Sequence, residues 1–298
     1  PAGCALLLIA EEQRLQPPDL ASPETAFLLT GAAIETISPW HSYGNSWLKS
    51  EALRHGPRLR PLATAILEHP AINWWWDGLD RNAQLSTTQA NGEPFPAPDS
   101  FPTPHAPPDQ FERYAQHPAR AVYTSTAYDG QSALLVAGLT NLGDWLVEPP
   151  IERKRVRIHR DARVMEIHDA DSWHRFVLRY PADGFHGMMP DVPDTPWGRG
   201  GGIVPDWAAA ARKWDGVHVS LWGMLMIEQV RVTSDAGWTE HWGQFGECTL
   251  WLRDVFTDVE HIEPIRQLMH PEHVGVFPAA LIPPNQRHPG WPAPPPPD

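Results

Sequence analysis

The chain has 298 residues, with 36 Asp and Glu against 23 Lys and Arg, a net charge of −13 and 2 Cys. That length allows one large domain or two modest ones, and 42% hydrophobic against 20% charged residues lets the chain bury a core, which excludes wholesale disorder. The acidic balance argues against broad, salt-driven wrapping of DNA or RNA, the longest apolar run (Ala5 to Ala10) is far short of the ~20 residues of a membrane span, and Cys4 and Cys248 cannot make a disulfide framework, so a reducing, cytoplasmic setting is expected.

Residues 1–93 mix apolar stretches with many of the 15 Trp, and a helix is predicted over Arg60 to Glu68, ended by His69-Pro70. Trp74, Trp75 and Trp76 stand consecutively. As a strand they would point to alternate faces, so this Trp-rich N-terminal region is expected to pack on the main domain rather than fold alone. Pro is about twice as frequent as its usual ~5% and clusters at 94–108 and in the tail at 278–298, which reads as a stiff connection and a polyproline II or disordered end.

The signals sharpen over 109–277, where an α+β domain is predicted. Ala121 to Thr126 is rich in β-formers, and Val156 to Ile158 and Arg163 to Ile167 read as two strands around a turn at Asp161-Ala162. Arg153, Arg155 and Arg157 alternate with Lys154, Val156 and Ile158, so a strand turns its arginines to one wet or anion-facing side. Asp171-Ser172 reads as the N-cap of a helix with Trp173, Phe176, Val177 and Tyr180 on one stripe, and Pro205-Asp206 opens another carrying Trp207, Ala210, Ala211 and Trp214. Strands are predicted at Val217 to Leu221, Met226 to Val232 and Cys248 to Leu252.

Few motifs restrict the chemistry. WGRGGG at 197–202 fits neither a dinucleotide fingerprint nor a phosphate-binding P-loop. His270-Pro271-Glu272-His273 is the tightest His cluster, but the Pro spoils the spacing, and no metal site is expected. His218, within a strand, reads as a core histidine bonded to the backbone. Alternation in the last strand sets Glu247, Thr249 and Trp251 on one face and Cys248, Leu250 and Leu252 on the other. A carboxylate beside Trp can act as acid, base or oxocarbenium stabiliser, and Trp222, Trp238, Trp242 and Trp251 could line a pocket for a flat ring.

The stretches AVYTSTAY (121–128), DARVMEIHDADSWHRFVLRYP (161–181), PDWAAAARKWDGVHVSL (205–221) and GECTLWLR (246–253) together resemble a bacterial ADP-ribosyltransferase-like group, over about half the chain. The resemblance implies a split pair of small β-sheets with short helices clasping NAD as substrate, a supporting strand at Tyr123 to Thr126, and Glu247 as the late acid on the nicotinamide ribose. It further implies Ser125 holding Glu247 in place, Arg81 as the early cation that grips NAD, Arg155 or Arg157 answering the pyrophosphate, and Trp242 or Trp251 stacking on a ring. Phe245 stands two residues before Glu247, where arginine- and guanine-directed members carry Glu or Gln, and the acceptor is not specified. Two rivals stand beside this: a non-enzymatic Trp-rich ligand- or partner-binding module, and a hydrolase, which would require a His and a carboxylate converging near Glu247.

Overall fold

The computed structural model describes residues 2–37, 45–89, 122–128, 130–140, 150–182, 202–241 and 246–266. The Pro-rich segments, most of WGRGGG, the His270 to His273 cluster and Trp242 lie outside the described residues.

Three helices open the chain: α1 (Ala2–Glu12), α2 (Pro23–Ile37) and α3 (Asn45–Leu67). α1 is buried on nearly every side, with Ala2, Ala5, Leu6, Leu8, Ile9 and Ala10 all inside. A helix without a polar stripe has no 3.6-residue alternation to read, which is why α1 escapes a periodicity search. α3 runs much further back than the predicted 60–68, through Pro57 and Pro61. Trp74 to Trp76 end a 3₁₀ turn (Pro70–Trp76) rather than a strand, with Trp75 buried and its two neighbours half-buried.

Seven strands make one sheet: β1 (Gln84–Gln89), β2 (Val122–Thr126), β3 (Ile151–Ile158), β4 (Val164–Ile167), β7 (Gly216–Val219), β10 (Cys248–Trp251) and β11 (Phe256–Ile265), in the order β11-β3-β1-β2-β10-β7-β4. All neighbours are antiparallel except β4 and β7. The predicted α+β class holds, but the strands form one hydrogen-bonded run where split small sheets were implied, because β2 pairs with β1 on one edge and β10 on the other. The turn at Asp161-Ala162 joins β3 to β4 without pairing them; they sit near opposite ends of the sheet. Two short pairs lie outside it: β5 (Pro181–Ala182) with β6 (Val204–Pro205), and the hairpin of β8 (Arg231–Ser234) and β9 (Gly237–Glu240).

Four further helices are short: α4 (Ala133–Thr140), α5 (Ala170–Arg179), α6 (Trp207–Ala211) and α7 (Leu221–Ile227). α5 carries its predicted stripe, with Trp173, Phe176 and Val177 buried, but its N-cap is Asp169, whose side chain accepts from Ser172 N while Ser172 answers in a capping box. α6 stops before Trp214, whose indole donates to the Tyr180 hydroxyl at 3.1 Å. The stretch 226–232, predicted as a strand, divides instead: the Ser220 side chain caps α7 at Gly223 N, Gln229 turns the chain at φ 57°, and β8 begins only at Arg231.

Cross-strand register sorts the sheet into two faces. One presents Tyr123, Ser125, Val217, Val219, Ile167, Cys248 and Leu250, and most of these pack against α1, α2, α4, α5 and α7 in the main core. The other presents Val122, Thr124, Thr126, Val156, Ile158, Gly216, His218, Glu166, Thr249 and Trp251. On this face Val122, Val156, Ile158, Ala162 and Trp251 form a small apolar core. Gly216 is required there, since a Cβ would stand 2.8 Å from the Trp251 ring. Beside that core Thr126, Thr249, His218 and Glu166 make the face polar, and they hold the candidate site.

Candidate functional site

Glu247 lies just before β10, opposite the end of β2, and is only 3% exposed. This is not the solvated strand end that Glu usually occupies. Its carboxylate straddles the Thr126 amide, with Oε1 and Oε2 accepting from that N–H at 3.0 and 2.9 Å, and Oε1 also accepts from the Thr126 hydroxyl at 2.9 Å. A directed chain stands behind that hydroxyl. Trp251 Nε1 donates to Thr124 Oγ1 at 2.8 Å, Thr124 donates to Gln84 Oε1, and Gln84 Nε2 donates to Thr126 Oγ1 at 2.9 Å. Every donor points toward Glu247, so strands β1, β2 and β10 converge on one acceptor.

On the other flank the register pairs Thr249 with His218 and His218 with Glu166, so β10, β7 and β4 carry a polar row on one face. His218 Nδ1 sits 2.9 Å from Thr249 Oγ1 and 3.7 Å from Glu247 Oε1, while Nε2 is 3.8 Å from Glu166 Oε2. Neither Nε2 nor Glu166 Oε2 makes a well-formed hydrogen bond among the described residues. Glu166 Oε1 accepts from Leu79 N, which fastens the Asp77 to Leu79 segment beside the row.

Burial governs the electrostatics. Glu247 is pushed up to about 8 by desolvation, opposed by the two Thr126 hydrogen bonds and reinforced by Glu166. His218 is pushed down to about 3, again chiefly by burial; the nearby Asp77 backbone opposes this and His168 adds to it. Its ring is therefore uncharged, and its two carboxylate contacts are not ion pairs. Glu166 is raised by burial against the Leu79 N–H, His168 and Arg81. The Tyr128 phenol is also raised, by burial and then by Glu247, Asp77 and Asp80, and its ring packs 4.5 Å from that of Trp74.

The sequence candidates divide sharply. Glu247 is central. Ser125 is on the helix-facing side, where its hydroxyl accepts from Leu134 N near the start of α4, so it cannot hold Glu247; alternation along β2 gives that task to Thr126. Tyr123 also faces the helices, packed against the main core. Arg155 and Arg157 lie on β3, separated from β10 by β1 and β2, and on the opposite face, where Arg155 meets Glu260 at 2.6 Å and Arg157 meets Asp258 at 4.0 Å across β11. They answer carboxylates, not a ligand at Glu247. Trp251 shares the face of Glu247 but is fully buried, edge-on to Phe256 at 5.8 Å, and its indole supports Thr124 rather than a ligand ring. Arg81 is half-buried, near enough to Glu166 to lower it, and donates to His159 O at 3.2 Å.

The sequence does not mark His218, Glu166, Thr126 or Gln84 individually as site residues. His218 was legible as a strand residue, but its neighbours come from strands that only the sheet order brings together. A cleft of about 380 Å³, lined by His159, Asp161, Asp215, Arg253 and Phe256 among others, contains none of the Glu247 group in its lining. No cluster of three or more potential metal ligands occurs among the described residues. No protein-family model, no curated protein and no solved structure matches this chain.

Proposed function

We propose that the chain is an ADP-ribosyltransferase-like enzyme that cleaves the nicotinamide–ribose bond of NAD, with Glu247 as the reacting carboxylate. The observation that carries this reading is a buried carboxylate held by a backbone N–H and a hydroxyl at the end of a directed hydrogen-bond chain. Once ionised, that carboxylate is held in place by these donors, so it can meet developing positive charge with little reorganisation. Departure of nicotinamide with the C–N bonding pair leaves an oxocarbenium-like ribose, and Glu247, hydrogen-bonded to the ribose hydroxyls, stabilises it. Thr126 takes the orienting role first given to Ser125. Arg81, the remaining cation of the candidate set near the row, is the choice for the pyrophosphate. Trp76 and Trp222, half-buried with ring centroids 5.0 Å apart, replace Trp251 as the aromatic surface for a ring.

The ionised form of Glu247 carries the stabilising charge, so cleavage should rise as pH climbs toward and past about 8. The test is release of nicotinamide from NAD by the purified full-length protein and its Glu247→Gln variant. Cleavage that falls at least ~100-fold in the variant supports the reading; equal cleavage by both removes Glu247 from it.

A hydrolase acting on another substrate is the second reading. Its requirement, a His and a carboxylate converging on Glu247, is met by His218 and Glu166. Loss of activity toward a hydrolysable ester or glycoside panel in Glu247→Gln, with no NAD cleavage by the wild type, would favour it. The binding-module reading draws on exposed Trp, whereas the large exposed hydrophobics among the described residues are Leu53, Leu67 and Met226.

A further inference from the structure

We propose that Glu166, His218 and Glu247 form a proton relay that joins the buried carboxyl of Glu247 to the protein surface, with His218 as the carrier and Glu166 as the outer terminal. The inference deepens the reading of Glu247 as a reacting carboxylate and rests on that reading for its catalytic consequence; the relay itself is testable without NAD.

The geometry is that of a row with an inner and an outer end. The Glu247 side chain is 3% exposed and that of Glu166 is 32% exposed, with the 1% exposed His218 ring between them. The three residues stand on adjacent strands at matched register or just beyond it, so the sheet itself fixes their spacing. Each ring nitrogen has a carboxylate oxygen 3.7 or 3.8 Å away, about one ångström beyond a hydrogen bond. Contacts of this length tighten with a small carboxyl rotation, as proton-transfer contacts often do on ligand binding. Oε2 of Glu166 and Nε2 of His218 are both buried and make no well-formed hydrogen bond among the described residues, although the His218 ring also interacts with the Asp77 backbone, so both atoms are placed to exchange a proton with each other.

Transfer is balanced as follows. Protonated Glu247 gives its proton to Nδ1 while Nε2 releases its own to the Glu166 carboxylate, leaving Glu247 ionised, the imidazole neutral in the other tautomer, and Glu166 protonated. Rotation of the Glu166 carboxyl, whose Oε2 is buried while the side chain is 32% exposed, then releases the proton to water, and the reverse passage restores the starting tautomer. No net positive charge is placed on the ring. The Thr249 hydroxyl, 2.9 Å from Nδ1, fits either tautomer because it can donate to a bare nitrogen or accept from a protonated one. The other titratable or charged groups that bear on the row are Asp77, Arg81 and His168 on the Glu166 and His218 side, and Tyr128 and Cys248 on the Glu247 side.

The test follows the Glu247 carboxyl carbon by NMR in full-length, glutamate-labelled protein from about pH 5 to about pH 10, the signal being assigned by its loss in Glu247→Gln. In the wild type it should shift as one averaged line. In Glu166→Gln, which removes the outer acceptor, proton exchange at Glu247 should slow by about 100-fold, the lower end of what a positioned proton-transfer group contributes. An unchanged exchange rate in a folded Glu166→Gln overturns the relay. Should that variant fail to fold, the wild-type His218 ring decides: its ¹⁵N shifts must change tautomer balance across the Glu247 titration, and constant shifts overturn the proposal. NAD cleavage alongside unchanged exchange refutes the relay and spares the function; slowed exchange in a protein that leaves NAD intact does the reverse.

Discussion

Two buried glutamate–histidine pairs stand in this molecule, and they differ in what surrounds the imidazole. In the first, Glu228 at the end of α7 meets His241 after β9 at 2.9 Å, both nearly fully buried, with the His241 ring edge-on to Trp173 at 4.8 Å. Beside it Arg231 reaches Glu240 at 2.8 Å and lies over the Trp238 ring at 3.9 Å. This pair fastens α7 to the hairpin. In the second, His218 lies between two carboxylates and bonds directly to neither, and its partner Glu247 is satisfied from the opposite side by Thr126. Both histidines are pushed down to about 3 by burial, so desolvation alone does not separate them. What separates them is closure: a direct hydrogen bond consumes the chemistry of one pair, and the sheet register holds the other apart.

The most severe way to break the closed region is Trp173→Ala, because Trp173 is 3% exposed and abuts His241; truncating a buried Trp costs ~3–5 kcal/mol, measurable by urea denaturation. Glu247→Gln tests the open row, with a fall of at least ~100-fold in NAD cleavage and a far-UV spectrum like that of the wild type. Glu228→Ala leaves the buried His241 nitrogen without this acceptor and should cost ~1–3 kcal/mol of stability without changing the pH dependence of cleavage.

Stability against pH sharpens the contrast. Folded Glu247 keeps its proton up to about pH 8, whereas its unperturbed value is 4.5, so its contribution is present below pH 4.5 and is lost as pH rises through 8. The histidines act oppositely, lending stability above 6.5 that is lost as pH falls through about 3. Glu247→Gln should remove the decline in urea midpoint between pH 4.5 and about 8 and leave the acid limb. A decline that persists in the variant would place the titrating group elsewhere. At the smallest scale, Arg155→Ala should change stability by only ~0–1 kcal/mol, since its pair with Glu260 is half exposed on both sides, and should not weaken NAD binding.

How far the site was legible depended on whether its signal was local. The period-2 alternation at 247–252 placed Glu247 and Trp251 on one face, and that placement follows from the backbone alone. The same alternation, applied to Tyr123-Thr124-Ser125-Thr126, says that one hydroxyl pair faces Glu247, but not which pair. The motif pointed to Ser125, and the register of β2 against β10 selects Thr124 and Thr126. Trp251 was placed correctly and given the wrong task, because exposure depends on what crosses above a residue rather than on its own strand.

The sequence by itself determined the mixed helix and strand character, the stripe of α5, the alternating arginines of β3 and the divided faces of β10, each a consequence of neighbours within one turn or one strand. Only the tertiary structure decided that β7, β10 and β2 lie side by side, that Arg155 and Arg157 face β11 acids, and that His218 stands between Glu166 and Glu247. The reason is that hydrogen-bonding partners in a sheet are set by strand order, and strand order here pairs residues 29 to 129 positions apart along the chain, a separation over which local propensity carries no information.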